Sequence, residues 1–193
     1  MKPLARKLFL PASLLLSLTY FIPIWHISLD APQYPEGIGM YIWLDQITGE
    51  KPHDLANLNG LNHYIGMKKI VPDAIPELKI MPYIIGFMIF LGLMVFLLNK
   101  KWLAWIWVIL FVCIIGIGLY DFYLWGYDYG HDLDPTAAIK VPGMSYQPPV
   151  FGSKQLLNFV STSLPAIGGI VIGISLALGF ISIYLDSRKG VKS

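Results

Sequence analysis

Four stretches of this chain, 8–27, 80–98, 102–120 and 164–185, contain no Asp, Glu, Lys or Arg and are almost wholly apolar. A helix of about 20 such residues spans the roughly 30 Å hydrocarbon layer of a bilayer. Inside that layer only a helix or a closed barrel satisfies its own backbone. The runs therefore predict an all-α membrane protein with four transmembrane helices. Composition agrees, because 55% hydrophobic and 13% charged residues, with a mean hydropathy of +0.60, lie outside the range of ordinary soluble domains.

The charges beside the runs orient them. Lys2, Arg6 and Lys7 precede the first, Lys100 and Lys101 separate the second from the third, and Arg188, Lys189 and Lys192 follow the fourth. The positive-inside rule puts all three clusters, and so both termini, in the cytoplasm. The expected order is an N-terminus 1–7, span 8–27, outer segment 28–79, span 80–98, turn 99–101, span 102–120, outer segment 121–163, span 164–185 and tail 186–193. In a bacterium this is a multi-pass protein of the inner membrane with two periplasmic segments. Those segments hold six of the fourteen basic residues and eleven of the twelve acids, so the inner side carries about +7 and the outer about −5. No basic surface is left for nucleic acid. A secretory signal is the competing reading of the N-terminus, but the apolar stretch is long and no small-x-small cleavage site follows residues 20–26.

No Asp, Glu, Lys or Arg lies inside any run, so the intramembrane charges that mark ion and proton pathways are missing, and a transporter acting alone is not expected. The single cysteine, Cys113, falls mid-span and reads as packing. Trp102, Trp105 and Trp107 mark the inner membrane edge, and Trp25 and Trp125 the outer. Gly169 and Gly173 form a small-xxx-small pair that invites a close helix contact, within the bundle or with a partner.

In the first outer segment, Pro32, Pro35, Gly37 and Gly39 form turns before residues 40–44, which read equally as a strand or an interfacial helix. Asp54 is the expected N-cap of a helix over 55–69, with Leu58, Leu61 and Ile65 on one face and Asn59, His63 and Met67 on the other. Pro72, Pro76 and Pro82 should then keep the chain extended. The second outer segment reads as loop up to Ser163 and Pro165, which suit the start of the fourth helix. Trp43 and Tyr127 are expected at interfaces. Burying Trp43, Leu58, Leu61 and Ile65 needs a facing surface, which Tyr127, Tyr129, Tyr146 and Phe151 can supply. The two segments should therefore form one cap, with residues 127–135 beside the 55–69 helix.

All four histidines, His26, His53, His63 and His131, fall on the outer side or at its edge, together with Met40, Met67, Met81 and Met144. Imidazole and thioether suit copper, thioether favouring Cu(I). His63 and Met67, one helical turn apart, are the first candidate ligands; His131 is the third, and Met40, His53 and Met144 follow. A structural role for the same residues is the competing reading. Asp128, Asp132 and Asp134 bracket His131, but their spacing is not that of an EF-hand loop, and a solvated acidic turn explains them equally. No nucleophile elbow, Walker loop, HExxH or CxxC is present, and an enzyme is not expected.

The segments YPEGIGMYIW at 34–43, GLNHYIGM at 60–67, GHDLDP at 130–135 and PGM at 142–144 resemble those of a small polytopic membrane protein encoded beside clade II nitrous oxide reductase. The resemblance implies a non-catalytic accessory role toward that periplasmic copper enzyme, in maturation, copper supply, anchoring or electron supply. The alternative from another class is a structural subunit of a larger respiratory or transport complex with no metal role. Membrane lipid and a protein partner are expected in either case.

Overall fold

The computed structural model describes residues 1–188. Helix α1 (Pro3–Ser17) ends in a 3-10 turn, Leu18–Tyr20, and strands β1 (Trp25–Ala31), β2 (Tyr34–Ile42) and β3 (Ile47–Gly49) follow. Helix α2 (Asp54–Ile65) and a 3-10 turn, Pro72–Ala74, lead into the long helices α3 (Pro76–Leu98) and α4 (Lys101–His131). Strands β4 (Gly152–Leu156) and β5 (Phe159–Pro165) precede the last helix, α5 (Ile167–Ser187). Helices α3, α4 and α5 are long and apolar enough to cross a membrane.

The all-α expectation is corrected by a five-stranded antiparallel sheet, ordered β3-β2-β1-β5-β4. Its first element begins inside the first apolar run. Pro23 lacks an amide proton and disfavours helix at the residue before it, so the helix stops short of it and residues 25–27 enter β1 instead of a span. Residues 40–42 likewise resolve as strand. In β5, Phe159, Ser161 and Ser163 are buried while Val160 and Leu164 face out, the period-two pattern of a half-buried strand. Ser163 and Pro165 therefore lie in β5, and the last helix starts after Ala166. Pro82 sits inside α3 rather than in extended chain.

Helices α1, α3, α4 and α5 form a bundle, α1 lying against both α3 and α5. Trp107 is its centre: the buried ring meets Phe9 and Phe111 edge-on, and its indole N–H donates to the Met88 carbonyl at 2.9 Å. Two glycines make room for it. A Cβ on Gly179 would lie 2.5 Å from Trp107 Cζ3, and one on Gly92 would lie 2.9 Å from its Nε1. Ser175 and Ser182 of α5 donate to the Ala12 and Ala5 carbonyls of α1, each at 2.7 Å, which lets two apolar helices approach closely. The packed face of α5 is thus Gly168, Val171, Ser175, Gly179 and Ser182. Of the glycine pair read from the sequence, Gly169 packs on the Ile24 backbone and Gly173 faces open space.

The basic clusters meet at one end of this bundle. The Lys2 amide donates to Asp186 at 2.7 Å, Lys101 lies 3.3 Å from the same carboxylate, and Arg6 Nε donates to the Phe96 carbonyl. The sheet and α2 occupy the other end.

Candidate functional site

The two polar segments build that other end jointly. Residues 25–49 supply β1 to β3 and residues 152–165 supply β4 and β5, so the β1–β5 ladder joins them into one sheet. Helix α4 runs on to His131, where the sequence reading ended a span at 120 and expected a loop. Its last turns pack Phe122, Trp125 and Tyr129 on the cap core of Ile27, Ile38, Met40 and Leu58. Gly130 permits the closest approach, since its carbonyl accepts from the Tyr146 amide and a Cβ there would lie 2.4 Å from Gln147 N.

Helix α2 is strapped into place by its polar residues. Asp54, read as the N-cap, is the first helical residue instead, with His53 at the cap position. Its buried carboxylate accepts from the Gly39 and Lys51 amides, each at 3.1 Å, and pins the helix to the sheet. Asn59 clasps both backbone groups of Ile70, and Asn62 donates to the Lys68 carbonyl.

The candidate ligands divide by environment. Gly66, at φ 82°, ends α2 before the expected 69, so Met67 leaves the helix and turns into the apolar core beside Ile65, Leu156 and Phe159. His63 stays exposed over Tyr64. The two therefore do not share one helical face, contrary to the reading from their spacing. Met40 is buried under the sheet and Met144 packs beside Tyr146. His53 is exposed. His131 stacks on Tyr127 with ring centroids 4.0 Å apart, and its Nδ1–H donates to the Tyr127 carbonyl at 3.0 Å, leaving Nε2 without a partner among the described residues. His26 is paired with Glu50 at 3.0 Å. Met40, Met67 and Met144 thus lie inside the cap, and His53, His63 and His131 on its surface. Among the described residues no group of three or more His, Cys, Asp or Glu side chains converges in a way that could hold a metal ion.

The interface residues divide too. Tyr127 is exposed on α4, whereas Trp43 is half-buried with its indole N–H donating to Thr48 at 2.9 Å.

The acids around His131 are engaged by neighbours. Lys68 lies 2.8 Å from Asp128 and 2.9 Å from Asp132, and these two carboxylates hold its ammonium well above the usual lysine range. Asp134 accepts from the Thr136 hydroxyl and amide, which pull its carboxyl below the ordinary value. The Asp134 amide donates to the Gly66 carbonyl and that of Ile139 to Tyr64, so residues 127–139 lie directly beside α2.

One feature was not legible in the sequence. A cavity of about 60 Å³ lies between the sheet, α2 and α4, and both Met40 and Met67 line it, with Leu58, Ile65, Tyr129 and Phe159. Its walls come from residues 27 to 161, and no local pattern reports such a convergence. No protein-family model matches this chain, and no curated protein matches it.

Proposed function

We propose that the chain is a non-catalytic accessory protein of the bacterial inner membrane. Four spans anchor it and hold the sheet-and-helix cap in the periplasm, where it serves a copper enzyme, nitrous oxide reductase in particular. The observation that carries this reading is the polarity of the molecule, with Lys2, Arg6, Lys101 and Arg188 at one end and a folded, acidic cap at the other. Basic ends stay cytoplasmic, so the cap is exported. Helix α1 with its 3-10 turn reaches roughly 28 Å, of which the uncharged part from Leu8 to Tyr20 makes roughly 21 Å, and the long Arg6 and Lys7 side chains extend to the cytoplasmic edge as the start of a fourth span.

The copper role rests on donor chemistry. His63 and His131 offer imidazoles at the surface, and Met67, Met40 and Met144 offer thioethers within the cap, ligand types that suit Cu(I). Purified protein titrated with Cu(I) against a competing chelator should bind about one ion, more weakly after His63→Ala or Met67→Leu. Absence of binding would remove the metal role and leave docking.

A second reading, a structural subunit of a larger membrane assembly, is favoured by α4, where Gly116 meets nothing and Ile117 and Tyr120, on the same face, are exposed. Such a face suits a further helix. Migration as a monomer in mild detergent, with no partner co-purifying from native membranes, would count against it.

A further inference from the structure

Buried polar groups in the cap are paired almost throughout, as Asp54, Asn59 and Asn62 illustrate. Three atoms break the pattern. Trp125 Nε1, Tyr146 Oη and Ser161 Oγ are buried with no described residue in hydrogen-bond geometry; the Tyr129 ring, its centroid 4.3 Å from that of Trp125, puts a hydroxyl near the indole N–H but outside that geometry. Tyr146 and Ser161 are 2% and 1% exposed. The three come from α4, the chain before β4, and β5, yet all three side chains line the one cavity. The remaining buried atom of this kind, Asn99 Oδ1, lies in the turn between α3 and α4. Burying an unpaired donor is costly, and native interiors leave few of them. Three converging on one space point to something that pairs with them.

The walls limit what that can be. No charged side chain lines the cavity, so a hard cation or an anion finds no countercharge. Apart from Asn62 and the three side chains with unpaired atoms, the surface is mainly aliphatic and aromatic, with two thioethers. About 60 Å³ is far below the roughly 150 Å³ that admits the six non-hydrogen atoms of benzene, and corresponds to about two or three non-hydrogen atoms. A few convergent polar groups in an apolar hollow are the usual makings of a small-molecule site. The geometry points to a binding site in the cap for a small neutral molecule that bears an acceptor oxygen. The Trp125 N–H and the two hydroxyls take the oxygen, and the aliphatic walls cover the remainder. This site does not depend on the accessory role proposed above.

The test uses the full chain in detergent, labelled with 5-fluorotryptophan, with the Trp125 fluorine line assigned by Trp125→Phe. Methanol, ethanol and formamide, with two or three non-hydrogen atoms and one acceptor oxygen each, serve as probes. The Trp125 line should shift saturably with at least one of them. Tyr146→Phe and Ser161→Ala, each removing one oxygen, should each weaken that probe about tenfold. No saturable shift, a shift that both variants leave unchanged, or a response to Cu(I) with none to the probes would each overturn the proposal. So would a high-resolution structure showing only ordered waters between the three atoms.

Discussion

The ammonium of Lys68, just behind α2, lies 2.9 Å from the carboxylate of Asp132, just past the end of α4. With Asp128 on its other side, this lysine ties the two polar segments together at the surface. Exposed ion pairs are weak and screened by salt. Lys68→Met should therefore leave the fold intact but speed amide exchange at Asp132 and Leu133, and the difference from wild type should shrink in high salt. Equal exchange at low salt would show that the pair holds nothing.

Asp54 is a different case, because its carboxylate is buried and accepts two backbone amides. Asp54→Ala strands both donors and should cost about 3 kcal/mol, read as a lower melting temperature of the cap. A loss below 1 kcal/mol would mean that water replaces the carboxylate.

Gly179 and Gly173 make an internal comparison within α5. An added Cβ at Gly179 meets the locked Trp107 ring, so Gly179→Ala should destabilise the bundle by about 1–3 kcal/mol in detergent. Gly173→Ala meets open space and should be neutral or slightly stabilising. The opposite ranking would misplace the packed face of α5.

Asp134 links the cap to pH. The Thr136 hydroxyl and amide lower its folded pKa below the ordinary 3.8, so its contribution is present above that value. It is lost as pH falls through the lower, folded pKa. In a carbon-13 titration of the carboxyl groups, Asp134 should titrate below the ordinary aspartate value of 3.8, and Thr136→Val should move it back toward that value.

Much of this architecture is legible in the sequence, and the exceptions have physical causes. Uncharged runs report helices α3, α4 and α5 because burial in hydrocarbon demands them over a full span. The same hydropathy hid β1, since Trp25 and Ile27 are as apolar in a sheet core as in lipid; Pro23 was the available signal. The contact between residues 127–135 and α2 followed from the need to cover Leu58 and Ile65, and the Gly66–Asp134 hydrogen bond realises it. Strand β4 was missed because Gly152, Ser153, Lys154 and Gln155 carry no buried apolar face. The His63–Met67 pairing assumed an unbroken helix, and Gly66 breaks it.

The central claim, a folded cap exported on one side of a four-span bundle, is tested most directly by cysteine accessibility. With Cys113→Ala as background, single cysteines at Glu36, Lys154 and Ser187 are exposed to a membrane-impermeant maleimide on intact spheroplasts. Glu36→Cys and Lys154→Cys, one in each polar segment, should both label without permeabilisation, and Ser187→Cys only after it. Labelling of Ser187→Cys in intact cells, or of only one of the two cap sites, would contradict the account.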